Sequence, residues 1–154
     1  MQTAYNVNPA RGVVGALAEA GGIVNRSKIA NGEVRPGQYV VISGDTCAHP
    51  AAEPTPQNRG GIALRLPYMQ DDGVYADGDI VDICEVGAVW VAAESAVTAD
   101  IKAFVRVTAA GAEEKGALRL DSDGGDAFMI PGLFFRTAGT TLVKLEVNKS
   151  AEVT

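Results

Sequence analysis

Apolar residues alternate with polar ones, or gather in short runs, from residue 23 to residue 148, and Gly, Pro and Asp separate the runs. That period of two, without an amphipathic stretch of ten or more residues, predicts strands rather than helices. The pattern places strands over residues 23–29, 38–43, 62–66, 80–85, 89–93, 102–108, 117–120, 127–136 and 141–148. The clearest stretch is VYADGDIVDICEVGAVWV, residues 74–91. An Asp-Gly turn leads there into Ile80, Val81, Ile83 and Val86, Gly87-Ala88 reads as a second turn, and Val89, Trp90 and Val91 follow, so a hairpin is expected. Short strands at regular spacing favour a mainly β, single-domain antiparallel sandwich or barrel of jelly-roll or tulip type.

The two ends differ in texture. Residues 1–22 form an extended N-terminal arm, with Tyr5, Val7 and Pro9 in a polar setting and Val13, Val14, Leu17 and Ala18 at helix-like spacing that Gly12, Gly15 and Gly21-Gly22 weaken. The β domain is read over 23–148 and a frayed C-terminal tail over 149–154. Between Gly44 and Gly61 the prolines at 50, 54 and 56 remove backbone donors, so this segment reads as a long surface loop.

Composition narrows the function. A chain of 154 residues can bury a core without disulfides or metals, and no apolar run approaches the length of a membrane-spanning helix. The start, MQTAYNVNPARG, lacks the basic and apolar regions of a secretory signal, so folding in the compartment of synthesis, the cytoplasm, is expected. Net charge is −6, with 7 Lys/Arg against 12 Asp/Glu in residues 78–154, which argues against a nucleic-acid partner. Arg26, Lys28 and Arg35 read as a solvated face.

Candidate chemistry is sparse. His49 is the only histidine, and Cys47 two residues away shares its face of an extended loop, but no third group is in view to orient the imidazole. Cys47, His49 and Cys84 are too few for a closed zinc site, and a disulfide is not expected. The run from Asp121 to Asp126 superficially suggests a calcium loop, yet its sixth and twelfth places hold Asp126 and Gly132 instead of Gly and Glu. Catalytic residues, cofactors and metals are therefore none. Phe104, Phe128, Phe134, Phe135 and Trp90 fall in predicted strands and are read mostly as core, with Trp90 a candidate interface residue. Tyr5 and Arg11 on the arm are the residue types that dominate interface energetics.

The chain resembles the structural cement, or head decoration, proteins of tailed bacteriophages. The resemblance runs through AYN at residues 4–6, IVNRSKIANGEVRPGQYVV at 23–41, GIALRLP at 61–67 and YADGDIVDICEVGAVWV at 75–91. Thr98-Ala99-Asp100 stands where the family pattern carries a second Gly-Asp turn. The resemblance implies a non-enzymatic virion protein on the outer capsid surface that bridges major capsid protein subunits and self-associates, a dimer favoured over a trimer, with neither nucleic acid nor membrane as partner. Expected contact residues are Tyr5, Asn6, Pro9, Arg11, His49, Pro54, Pro56 and Trp90. The alternative is a phage tail or baseplate module or a glycan-binding β module, for which the nine aromatics offer little exposed stacking surface.

Overall fold

The structure, a computed structural model, describes residues 13–19, 22–67, 69 and 73–149. Nine strands carry it: β1 Val24–Ala30, β2 Tyr39–Ser43, β3 Thr46–Ala48, β4 Arg59–Ala63, β5 Ile80–Val91, β6 Ile101–Arg106, β7 Leu118–Arg119, β8 Ala127–Phe135 and β9 Val143–Asn148. A 3-10 turn at Asp123–Gly125 is the single helical element among the described residues.

The mainly β architecture expected from the alternation is present. Strands β1, β3, β2, β4 and β5 pair in that order, and β5 pairs again with β1, so the five close into a barrel. All barrel pairings are antiparallel except β1 with β3. A second sheet follows in the order β5, β9, β8, β6, β7. Strand β5 belongs to both halves, meeting β1 and β4 with residues 80–86 and β9 with residues 86–91.

The expected hairpin at Gly87-Ala88 is therefore not formed. The chain runs through as one strand of 12 residues, with Gly87 inside it at φ 146°. A Cβ there would sit 3.1 Å from Cys84 Sγ, which a small shift of the thiol relieves, so it is the positive φ that calls for glycine.

Two cores result from this arrangement. Val40, Ala63, Val81, Ile83, Ala30, Val34, Cys47 and Tyr75 fill the barrel. On the next residues of the same strands, Tyr39, Ile62 and Cys84 face outward and, with Leu64 just past β4, pack with Val89, Val91, Val105, Leu133, Phe135 and Leu145 of the second half. The period of two thus sends alternate side chains of β2, β4 and β5 into different cores.

Three further differences from the sequence expectation have identifiable causes. The 44–61 segment contains β3, because Gly44-Asp45 makes a tight turn that returns the chain antiparallel to β2, with Ser43 opposite Thr46. Strand β4 begins earlier than residue 62, since Gly60 and Gly61 lie inside it instead of forming a turn. A Cβ on Gly61 would stand 2.0 Å from the Cys84 carbonyl oxygen, so the glycine there permits the close approach of β4 to β5. Residues 13–18 form a turn and then a short antiparallel bridge, Leu17 to Val89, instead of helix.

Candidate interaction surface

The cross-strand register defines the outward face of the second sheet. Val89 lies opposite Leu145 and Val91 opposite Val143, all four fully buried, so Trp90 with Lys144 and Ala88 with Glu146 point the other way. Phe134 stands beside Glu146 and Lys102, and Phe104 beside Met129, on that same face. Trp90, Phe104 and Phe134 are half-buried there, and Met129 is exposed. Phe135 alone of the four phenylalanines is fully buried, whereas Phe104, Phe128 and Phe134, expected mostly in the core, are half-buried; for Phe134 the cause is the one-residue ambiguity of the Phe134-Phe135 pair.

Charge is organised around these rings. The Arg136 guanidinium lies 4.8 Å from the centre of Phe134, with Nε 2.7 Å from Glu146 and Nη1 3.1 Å from Asp100. Asp100 occupies the left-handed region at φ 60° in the turn where the family pattern has Gly-Asp, and its carboxylate is thereby aimed at Arg136. Lys144 pairs with Glu19. A groove of about 450 Å³ runs between Glu19, Gly87, Ala88, Arg136, Lys144 and Glu146. The face thus combines aromatic and arginine side chains with a charged border, the residue types enriched at protein interfaces.

Among the expected contact residues, Trp90 sits on this face. Its backbone also anchors the start of the described chain: Gly15 N–H donates to Trp90 O at 2.7 Å, and Trp90 N–H donates to Ala16 O at 2.9 Å. Pro54 is buried and Pro56 exposed. Tyr5, Asn6, Pro9 and Arg11 lie outside the described residues, as does the tail beyond residue 149. Lys149 itself is anchored, its backbone N–H donating to Glu85 O at 2.8 Å.

His49 is held inside the protein's own hydrogen-bond network. Arg35 N–H donates to Nε2 at 3.0 Å, which leaves Nδ1 as the protonated nitrogen, donating to Tyr39 O at 2.8 Å. Burial, the largest effect, lowers the imidazole pKa below 6.5. A histidine with a depressed folded pKa contributes stability that is complete above the unfolded value and is lost as pH falls from about 6.5 toward the folded value. Thermal melts between pH 7.5 and pH 5 are expected to show this slope in the native protein and less of it in His49→Gln. Equal slopes in the two proteins would remove His49 as the titrating group.

The other reactive side chains are similarly enclosed. Cys47 and Cys84 are buried and unpaired, and burial pushes both thiols up to about 11, far from a thiolate at neutral pH. The Asp121–Asp126 run, read as a turn, serves a different purpose from cation binding. Arg106, fully buried, places Nε 2.6 Å from Glu94, and Nη2 lies 2.9 Å from Glu113 and 2.6 Å from Asp123. Arg119 reaches Glu94 at 2.7 Å, Asp121 at 2.6 Å and Asp123 at 3.0 Å. The hydrogen bonds it donates to Glu94 hold the Arg106 guanidinium firmly charged. No local spacing reveals this cluster, because its members come together only when β6, β7 and the loops beside them pack.

Comparison with known proteins places this geometry in context. The capsid of Myoviridae phage XM1 contains a chain of similar fold, with a TM-score of 0.73 and 16% identity, covering 97% of this chain and 98% of that one. The head fiber gp8.5 N base of bacteriophage phi29 matches with a TM-score of 0.50 and 15% identity over 86% of this chain and 99% of that one. No individually curated protein sequence matches. A family profile described as structural cement protein (E217 gp24/Pam3 gp6) matches residues 1–148. Because that match spans the arm and both halves of the fold, the chain belongs to the structural cement protein family, structural components of the phage capsid.

Proposed function

We propose that the protein binds the outer surface of the capsid and bridges neighbouring major capsid protein subunits without catalysing a reaction. The family match over residues 1–148 carries this reading. Three features of the chain support it. Net charge of −6 suits an outward-facing component better than one packed against DNA. The histidine and the Asp121 and Asp123 carboxylates are engaged internally and both cysteines are buried, which leaves recognition rather than chemistry to the surface. The arm enters the fold beside Trp90, so a contact by residues 2–11 and one by the Trp90 face would act together, and two linked contacts add avidity without a tight single site.

The experiment adds purified protein to undecorated heads and measures occupancy. Tyr5→Ala is expected to weaken attachment by roughly 2 kcal/mol, as a truncated interface aromatic does, while the melt of the isolated protein stays unchanged. Failure of the native protein to bind heads at all would end the bridging proposal. Unchanged attachment by Tyr5→Ala would take the arm out of the interface and direct attention to the Trp90 face and to the exposed Pro56.

A further inference from the structure

At the seam where the barrel meets the second sheet, β1 and the end of β9 bring two cations onto one carboxylate of β5, and Arg59 on β4 lies close enough that it and this carboxylate both act on the Tyr39 phenol. Glu85, buried on β5, receives Arg26 Nε at 3.3 Å and Lys149 Nζ at 2.8 Å on the same oxygen. The Arg59 side chain makes no hydrogen bond or ion pair among the described residues, although its Nε is buried. The seam therefore carries an excess of positive charge in a chain whose net charge is −6.

A buried guanidinium N–H left without an acceptor, as at Arg59 Nε, is unfavourable, and buried polar groups in native proteins are nearly always paired. Arginine's planar fork is suited to a carboxylate, which it binds bidentately. Arg26 keeps 55% of its side chain exposed and Lys149 keeps 29%, so the Glu85 cluster remains reachable from solvent. We propose that this seam, centred on Arg59 with Arg26 and Lys149, docks an acidic, Asp- or Glu-bearing segment of the capsid protein. The inference rests on the capsid-binding reading above and adds a location and a chemistry to it. Charge complementarity also accounts for how an acidic protein is steered to a particular orientation on its partner.

The test measures binding of the full chain to undecorated heads over a range of NaCl concentrations. Arg59→Gln is expected to lower affinity about tenfold and to flatten the salt dependence, with Arg26→Gln acting in the same direction and the exposed Lys115→Gln serving as control. Melts of each variant check folding, and Arg26→Gln, at a more exposed position, keeps the test informative if Arg59→Gln is unstable. Native affinity and salt dependence in both variants would overturn the proposal while leaving capsid binding intact, whereas absence of binding by the native protein would overturn the underlying reading. The chain's own Glu152 is the competing acid. If Glu152→Gln lowers the melt as Arg59→Gln does and neither changes head binding, the cations serve the tail and the proposal fails.

Discussion

Alanine at Glu94 is expected to cost about 3–5 kcal/mol of stability, a fall in Tm of roughly 10 °C for a chain of this size. The carboxylate bridges Arg106 and Arg119, the first fully buried and the second nearly so, through contacts of 2.6 and 2.7 Å. Its removal leaves Arg106 to Glu113 and Asp123, both of them well exposed and better solvated. The loss reflects an uncompensated buried charge more than the attraction itself, so removing both charges should recover much of it. Glu94→Leu combined with Arg106→Met is expected to melt well above Glu94→Ala. Melts of the three proteins decide, and a single variant within about 2 °C of native would show that the cluster is solvated rather than structural. Asp123 adds a pH signature. The hydrogen bond from Arg106 holds its carboxyl below the usual value, so its stabilisation is present above about pH 4 and is lost as pH falls through the depressed folded value.

Alanine at Gly61 is the second large effect, expected to destabilise by about 3 kcal/mol or more. The added Cβ would meet the Cys84 carbonyl oxygen at 2.0 Å and its carbon at 2.8 Å. Both obstacles are backbone, so no rotamer change relieves the contact and β4 must move off β5. That shift disturbs Ile62, packed in the outer core, and Ala63, packed in the barrel, at once. Amide hydrogen exchange provides the readout, with protection lost first along β4 and the facing part of β5. A variant that exchanges and melts as the native protein does would mean that the strands separate at no cost.

Much of this fold was legible because alternation survives in the strands that border a core. The spans read at 127–136 and 141–148 correspond to β8 and β9, and Val81 and Ile83 fill the barrel as their spacing suggests. Glycine caused the principal errors. Gly87 and the Gly60-Gly61 pair look like turn residues in a sequence, yet inside the fold they allow a positive φ within a strand and a close strand approach, and only the neighbouring strand distinguishes these uses. The candidate face was partly hidden for a related reason. In Phe134-Phe135 both residues are apolar, and which one faces out depends on the register with Glu146 and Leu145. Trp90 was recognised as a candidate from residue type. The seam around Glu85 could not be read at all, since its cations come from positions far apart in the chain.

Barrel closure through β5 also constrains how the chain folds in time. Ser27 on β1 bonds Asp82 on β5 across 55 positions, so the ring cannot close until that long loop has been brought together. The same strand supplies the pairing surface for β9, which appears only near the end of the chain. Topologies dominated by such distant pairings fold in milliseconds to seconds rather than microseconds. During synthesis, β1 through β4 emerge before their closing partner and expose unpaired edges meanwhile. Production at high concentration should therefore be limited by association of these partly folded chains, and slowing translation or lowering temperature should raise the soluble yield more than stabilising substitutions in the finished cores.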